Sequence, residues 1–208
     1  MPSKPTLKFF FECSERYIDD TRAQIPELPE KYVYPTGNPI RPVLPVETVT
    51  GGIMLIGAFP SARFHYLEGK LVPVADNLAP FAKEVYFDGR GIRKQASRES
   101  LEEHYFGPNM LNLCFEDMWV TDLVKVYLFP DKHIKNCEVV APQHRYVNTH
   151  KMFGSGKTVG KLAKASVPWI RHEIELCNPK LIITLGETAA RAIQDDRKTD
   201  NKQLLSGL

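Results

Sequence analysis

Three short stretches of this 208-residue chain carry residue types that could hold and work on a ligand. Gly57-Ala58-Phe59-Pro60-Ser61 offers small residues that allow close approach to the backbone, together with an aromatic face. Thr121-Asp122, with Lys125 close behind, offers one carboxylate, and Gly186 offers a tight turn with backbone donors. A fourth stretch is basic. Residues 132–171 hold eight Lys/Arg, among them Lys151, Lys157 and Lys161, against the single acid Glu138, and His133, His144 and His150 lie among them. On a chain of net charge +2 such a segment is read either as a partner surface for an anion, most simply nucleic-acid phosphate, or as a solvated loop. Within it Phe153-Gly154-Ser155-Gly156-Lys157-Thr158 ends like a phosphate-binding P-loop. The full pattern needs Gly where Lys151 stands and a buried strand before it, so a nucleoside triphosphatase is disfavoured, although backbone N–H groups of this loop could still meet phosphates.

The elements that must position these residues follow from apolar patterning. Ile53 to Ala58 is read as a buried strand that breaks into a Gly/Pro loop, the place where open α/β sheets bind ligands. Residues 118–126 and 180–185 are read as two further strands, apolar at nearly every position. Between them, 59–80 is expected as a long loop, 81–88 and 97–106 as helices with Ser97 as cap, and 127–161 as a second long loop. Residues 167–177 show helical spacing, with Pro168 in the first turn and Asn178-Pro179 as the stop, and 187–194 begin a last helix. Strand and helix in alternation imply a parallel sheet with right-handed crossovers, an α/β fold. Residues 1–50 differ: a short helix at 12–24, then Pro26, Pro29, Pro35, Pro39, Pro42 and Pro45, which impose an extended strap wrapped on a domain of 51–208.

Composition excludes several classes. Hydrophobic residues make up 43% of the chain, enough for one core. Cys13, Cys114, Cys137 and Cys177 contain no close pair, so no metal site is expected. The apolar run near the N-terminus is too short for a signal peptide, and no run of about 18 apolar residues suits a membrane span. A cytoplasmic protein with reduced thiols is expected.

Taken together, the motifs resemble those of the uracil-DNA glycosylase superfamily, especially its thermophile-type and iron–sulfur branches. Gly57-Ala58-Phe59-Pro60-Ser61 is similar to a Gly-x-x-Pro-small strand end. Val120-Thr121-Asp122-Leu123-Val124-Lys125 is similar to Ile-Thr-Asn-Val-Val-Lys. The run from Pro179 to Gly186, with Ala189 and Ala190, is similar to Pro-Lys-Leu-Ile-Ile-x-Leu-Gly-x-x-Ala-Ala. The resemblance spans about residues 51–192. It implies a three-layer α/β/α sandwich with a short central parallel sheet. It implies base-excision chemistry on single- or double-stranded DNA: a base is extruded into a pocket and its bond to the sugar is hydrolysed, because the reacting atoms are shielded in the stack. Gly57, Ala58, Phe59, Pro60, Ser61, Asp122 and Gly186 would then form the base pocket. Phe81, and Phe64 as a second candidate, would stack on the base for about 1–3 kcal/mol, or else pack in the loop. Lys125, Lys151, Lys157 and Lys161 would meet phosphates.

Four departures from the family pattern bear on chemistry. Ala58 and Phe59 stand where a polar residue helps activate water. One branch takes its carboxylate from the loop downstream, which makes Asp76 the expected catalytic group with Asn77 beside it; the other reading has Asp76 capping a helix that enters at 77–81. Asp122 replaces an Asn whose amide reads uracil. An ionised carboxylate only accepts, so it suits a base edge with two donors or a protonated ring nitrogen, and a base other than uracil, unless Asp122 pairs with Lys125 or caps a turn. The family's final strand and its His motif would begin at Leu204-Leu205-Ser206-Gly207-Leu208, and no His follows His172. The cysteines do not match an iron–sulfur spacing, so neither a cluster nor another cofactor is implied. Three readings result: a base-excising glycosylase, a non-catalytic nucleic-acid-binding module of the same fold, and an unrelated α/β enzyme for a small phosphorylated ligand.

Overall fold

A computed structural model describes residues 2–200; the expected strand at 204–208 lies outside the described residues. In chain order come α1 (Lys4–Gln24), β1 (Ile53–Gly57), β2 (Ala62–Leu67), β3 (Lys70–Asp76), β4 (Val85–Phe87), β5 (Ile92–Lys94) and α2 (Ser97–Leu101). They are followed by β6 (Met118–Asp122), α3 (Asp131–Val140), α4 (Thr149–Phe153), β7 (Gly154–Ser155), β8 (Thr158–Val159), α5 (Lys161–Cys177), β9 (Leu181–Thr184) and α6 (Glu187–Asp200).

The central sheet is parallel, with β1 between β6 and β9, and Ile53 lies opposite both Met118 and Leu181. Alternation along the strands builds the two outer layers. Met54, Ile56 and Trp119 face the large cluster that contains α1, α5 and α6, whereas Leu55, Met118 and Val120 face a smaller one with Phe106 and Phe115. The parallel sheet is the one expected from the strand–helix alternation, and the three layers are those that the family resemblance implied. β6 and β9 are the two outer strands of the described sheet; β6 is buried throughout, its outer side bridged by Thr48, whereas Leu181 of β9 is 52% exposed, so the third strand is less covered than its apolar sequence implied.

The N-terminal helix begins two turns earlier than expected. Ser3 caps it by accepting from the Thr6 N–H, and Phe9, Cys13 and Tyr17 recur at i, i+4, i+8 on its buried face. That face packs on α5: Phe9 lies edge-on to His172 with ring centroids 4.9 Å apart, and Tyr17 edge-on to Trp169 at 5.9 Å. The Pro-rich segment then runs extended over the sheet ends, where the Val43 N–H donates to the Lys125 carbonyl at 2.7 Å.

The expected loops are more structured than their composition implied. Residues 59–80 form the β2–β3 hairpin, whose two-residue turn Glu68-Gly69 has positive φ at both positions (48° and 75°), as a twist-matched hairpin requires. The expected helix at 81–88 is instead the β4–β5 hairpin. Val85-Tyr86-Phe87 are strand formers, and Asp88 closes the turn by accepting from the Arg90 and Gly91 N–H groups at 2.8 and 2.9 Å. Ala96, not Ser97, occupies the cap of α2, which widens into a π-helical turn (Glu102–Phe106). The long loop 127–161 contains α3, α4 and the β7–β8 hairpin. Pro168 lies inside α5 because that helix starts at Lys161. Asn178, left-handed at φ 46°, ends it, as the Asn-Pro signal implied.

Candidate functional site

The C-terminal edge of β1 is where the chain crowds most. Gly57 lies opposite Asp122. A Cβ added at Gly57 would sit 2.1 Å from Asp122 Oδ1 and 2.9 Å from Cε2 and Cζ of Phe81, so no larger residue fits. Phe81 holds a positive φ of 55°, with its ring 6.0 Å from that of Phe115. Carboxyl and bare backbone thus meet as the parallel strand ends implied, and the aromatic ring against them is Phe81 rather than Phe59 of the motif, which lines the cleft. Asp122 is only 3% exposed, and no hydrogen bond to its carboxyl occurs among the described residues. Burial raises its pKa to about 7, with Lys125 pulling down and Glu173 pushing up. An unpartnered carboxyl in that position is poised between its two protonation states at neutral pH.

Directly behind it, every polar group is satisfied. Lys125 is fully buried and forms an ion pair with Glu173, while Nζ donates to Thr121 Oγ1 at 2.7 Å and to the Asp122 carbonyl at 2.6 Å. Glu173 also accepts from Trp119 Nε1 at 2.8 Å and from Thr121 Oγ1 at 3.2 Å. The Lys125 N–H donates to the Tyr17 hydroxyl, which lies 2.7 Å from Ser166 Oγ. The expectation that Lys125 meets phosphate is therefore corrected: its ammonium has no access to solvent and is fully partnered within the protein. Glu173 and Tyr17, absent from the sequence-derived site, complete this support.

The loop after β1 leads into a cleft of about 700 Å³ lined by Phe59, Pro60 and Ser61 on one side and by Tyr127, His133 and His150 on the other. His150 stands edge-on to Phe59 at 5.4 Å, and His133 to Phe64 at 5.0 Å. The Tyr127 hydroxyl hydrogen-bonds His133 Nδ1, and burial with the neighbouring Lys132 charge lowers the His133 pKa. Phe64 therefore lines the cleft, whereas Phe81 lies at the Asp122 edge. The two imidazoles and Lys132 were visible in sequence only as part of a basic stretch.

Of the other expected phosphate ligands, Lys151 pairs with Asp131 at 2.9 Å and Lys161 pairs with Glu27. Lys157 is exposed with no ion pair among the described residues. The P-loop-like segment is the β7–β8 hairpin. Its glycines serve close packing: a Cβ at Gly154 would meet the Thr158 carbonyl at 2.1 Å, and one at Gly160 the Met152 carbonyl at 2.1 Å. Gly186 turns the chain at φ 99° from β9 into α6 and is exposed at the same sheet edge.

Asp76 and Asn77 part company. Asp76 accepts from the Tyr34 hydroxyl at 2.6 Å and the Arg41 N–H at 3.2 Å, in a small hollow of about 260 Å³ separate from the cleft. Burial raises its pKa against these two bonds. Its place at the end of β3, with no helix entering at 77–81, removes the capping alternative. Asn77 instead lies beside the loop after β1: Gln95 Nε2 donates to Asn77 Oδ1 at 3.2 Å and to the Ala62 carbonyl at 3.0 Å, and reaches Ser61 Oγ at 3.5 Å. Gln95 had no sequence signal, since its role depends on the hairpin that carries it.

Among the described residues no cluster of His, Cys, Asp and Glu could hold a metal ion, and no helix is long and apolar enough to cross a membrane. Residues 45–205 match the family model described as the uracil DNA glycosylase superfamily. No curated protein and no solved structure matches the chain.

Proposed function

Because the chain belongs to the uracil DNA glycosylase superfamily, we propose that the edge formed by Gly57, Phe81 and Asp122 receives a base turned out of DNA and that the protein hydrolyses its bond to the sugar. One observation carries this reading: the Asp122 carboxyl, which has no hydrogen bond among the described residues, and the Phe81 ring both lie against Gly57, where no side chain separates them. Phe81 supplies a stacking face. Asp122 supplies the edge contact. Protonated, its carboxyl presents one donor and one acceptor, the same pattern as an amide, and suits the N–H and C=O of a uracil-like edge. Ionised, it accepts only, and suits a base edge with two donors. With a pKa of about 7 it changes character across the neutral range.

In the proposed reaction the C1′–N bond breaks, its electrons leave with the base, water adds to the oxocarbenium-like sugar at C1′, and the proton this water releases passes to the base anion. Protonated Asp122 stabilises the departing base by donating to it. Ser61, Gln95 and Asn77 are the polar groups at the loop after β1 that can orient the water. The cleft lined by His133 and His150 and rimmed by Lys132 carries the flanking strand, with Lys157 as an outlying phosphate contact.

A second reading, a DNA-binding module without catalysis, draws on Ala58 and Phe59, which cannot activate water, and on the engagement of Asp76 with Tyr34 and Arg41. Duplex and single-stranded oligonucleotides carrying uracil, hypoxanthine or xanthine separate the two after treatment with alkali. Strand cleavage at the altered base is the expected result. Salt-sensitive binding without abasic sites on any substrate leaves the second reading standing, and absence of binding at low salt removes both.

A further inference from the structure

Lys125 touches Asp122 without pairing with its acid. An ammonium has three protons to donate, and here each is taken: by the Glu173 carboxylate, by Thr121 Oγ1 at 2.7 Å and by the backbone carbonyl of Asp122 at 2.6 Å. None is left for the Asp122 carboxyl, which has no hydrogen bond among the described residues. The partner that commits the ammonium is Glu173, fully buried on α5. Trp119 Nε1 donates to it at 2.8 Å, and the Thr121 hydroxyl joins the two charges, accepting from Lys125 and donating to Glu173 at 3.2 Å.

The strand separates this pair from the acid. Trp119 and Thr121 alternate with Asp122 along β6, so the ion pair lies on the α5 face of the sheet. The Asp122 carboxyl lies against Gly57 and the Phe81 ring. Among the described residues the charges that act on this carboxyl are those of Lys125, which pulls its pKa down, and Glu173, which pushes it up; burial is the larger influence. Behind the pair α1 presents Cys13 and Tyr17. Burial pushes the Cys13 thiol up to about 12 and the Tyr17 phenol upward too, so both are neutral near pH 7.

We propose that Glu173 is a positioning residue for the reaction above: it holds Lys125 on the α5 face and offsets its charge, so that the Asp122 acid on the other face stays unpaired and keeps its proton for the incoming base. This rests on the reading that Asp122 meets the base. Without Glu173 a bare cation would stand behind the acid and draw its proton off.

The test follows two quantities over pH in the full chain. The first is the Asp122 carboxyl, read by carbon-13 NMR of labelled aspartate, with Asp122→Asn identifying the signal. The second is the number of alkali-labile sites made in a uracil-containing single strand. Glu173→Gln keeps the shape of the acid and removes its charge. It should lower the Asp122 midpoint by about 1–3 pH units and move the alkaline fall of turnover with it. Lys125→Met/Glu173→Gln removes both charges, and the stronger of the two is Lys125, so both curves should move the opposite way, to higher pH. Should Glu173→Gln fail to fold, the double variant carries the test by its upward shift. Midpoints that stay put, or that move the same way in both variants, overturn the proposal and leave Asp122 as the base contact. Glu175→Gln, an exposed charge on the same helix, should move neither curve; an equal shift there also overturns it. Opposed midpoints with unmoved turnover overturn the positioning role together with the role of Asp122. Wild type that makes no alkali-labile site in any substrate removes the glycosylase reading and the positioning role with it.

Discussion

Asp122 and Lys125 stand three residues apart at the end of β6, almost equally hidden from water, and the protein treats them in opposite ways. Lys125 is matched by a carboxylate, a hydroxyl and a carbonyl. Asp122 has no hydrogen bond to its carboxyl among the described residues and faces a ring and a bare glycine. A buried charge with every bond made is scaffold; an acid at a strand end with its hydrogen bonds still to be made is held ready for something that arrives. Sequence spacing alone cannot separate the two, since both are single charged residues in an apolar run.

The strongest way to break this contrast is Lys125→Met. It strands Glu173 in the core and is expected to cost about 3–5 kcal/mol in urea unfolding, with Lys125→Met/Glu173→Gln recovering a large part. A loss below about 1 kcal/mol would mean that water reaches the pair after all.

Asp122→Asn should act the other way. The folded pKa of about 7 lies above the unfolded value of about 3.9, so the carboxyl's favourable contribution is complete below pH 4 and is lost as pH rises through 7. The Asn variant should therefore be more stable than wild type by about 2–4 kcal/mol at pH 8, with the gap closing toward pH 4. Turnover on uracil should fall between pH 6 and 8 in wild type and stay flat in the variant. Parallel pH profiles would show that Asp122 does not read the base.

The smallest effect is expected at Asp76→Asn. Its two bonds anchor the strap at Tyr34 and Arg41, so about 1 kcal/mol of stability should be lost with turnover unchanged. Abolished turnover would return Asp76 to the catalytic role that the family resemblance implied.

These contrasts also mark what was legible in the sequence. The strand at Ile53, the Thr121-Asp122 strand end and the Asn178-Pro179 stop were readable because local pattern and tertiary role agree there. The meeting of Gly57 with Asp122 followed from parallel strand ends. Glu173 was unreadable, since an acid on an amphipathic helix looks solvent-facing until Lys125 and Trp119 are found against it. The β2–β3 hairpin was hidden by Pro73 inside its second strand, and the β4–β5 hairpin by a run short enough to suit either period. Gln95 lies at the root of one hairpin, His133 meets Phe64 on the other, and His150 comes from α4 within what read as a long loop, so missing the elements meant missing the residues.

The bond between Tyr17 and Ser166 has a consequence for how the molecule is made. Its partners are 149 positions apart, and the same helix face carries Phe9 and Cys13. During synthesis this face is translated well before its docking surface on α5, with most of the domain between them. The N-terminal helix must therefore spend most of translation with its aromatic face uncovered, which makes the nascent chain, rather than the finished protein, the form most open to chaperone capture and aggregation.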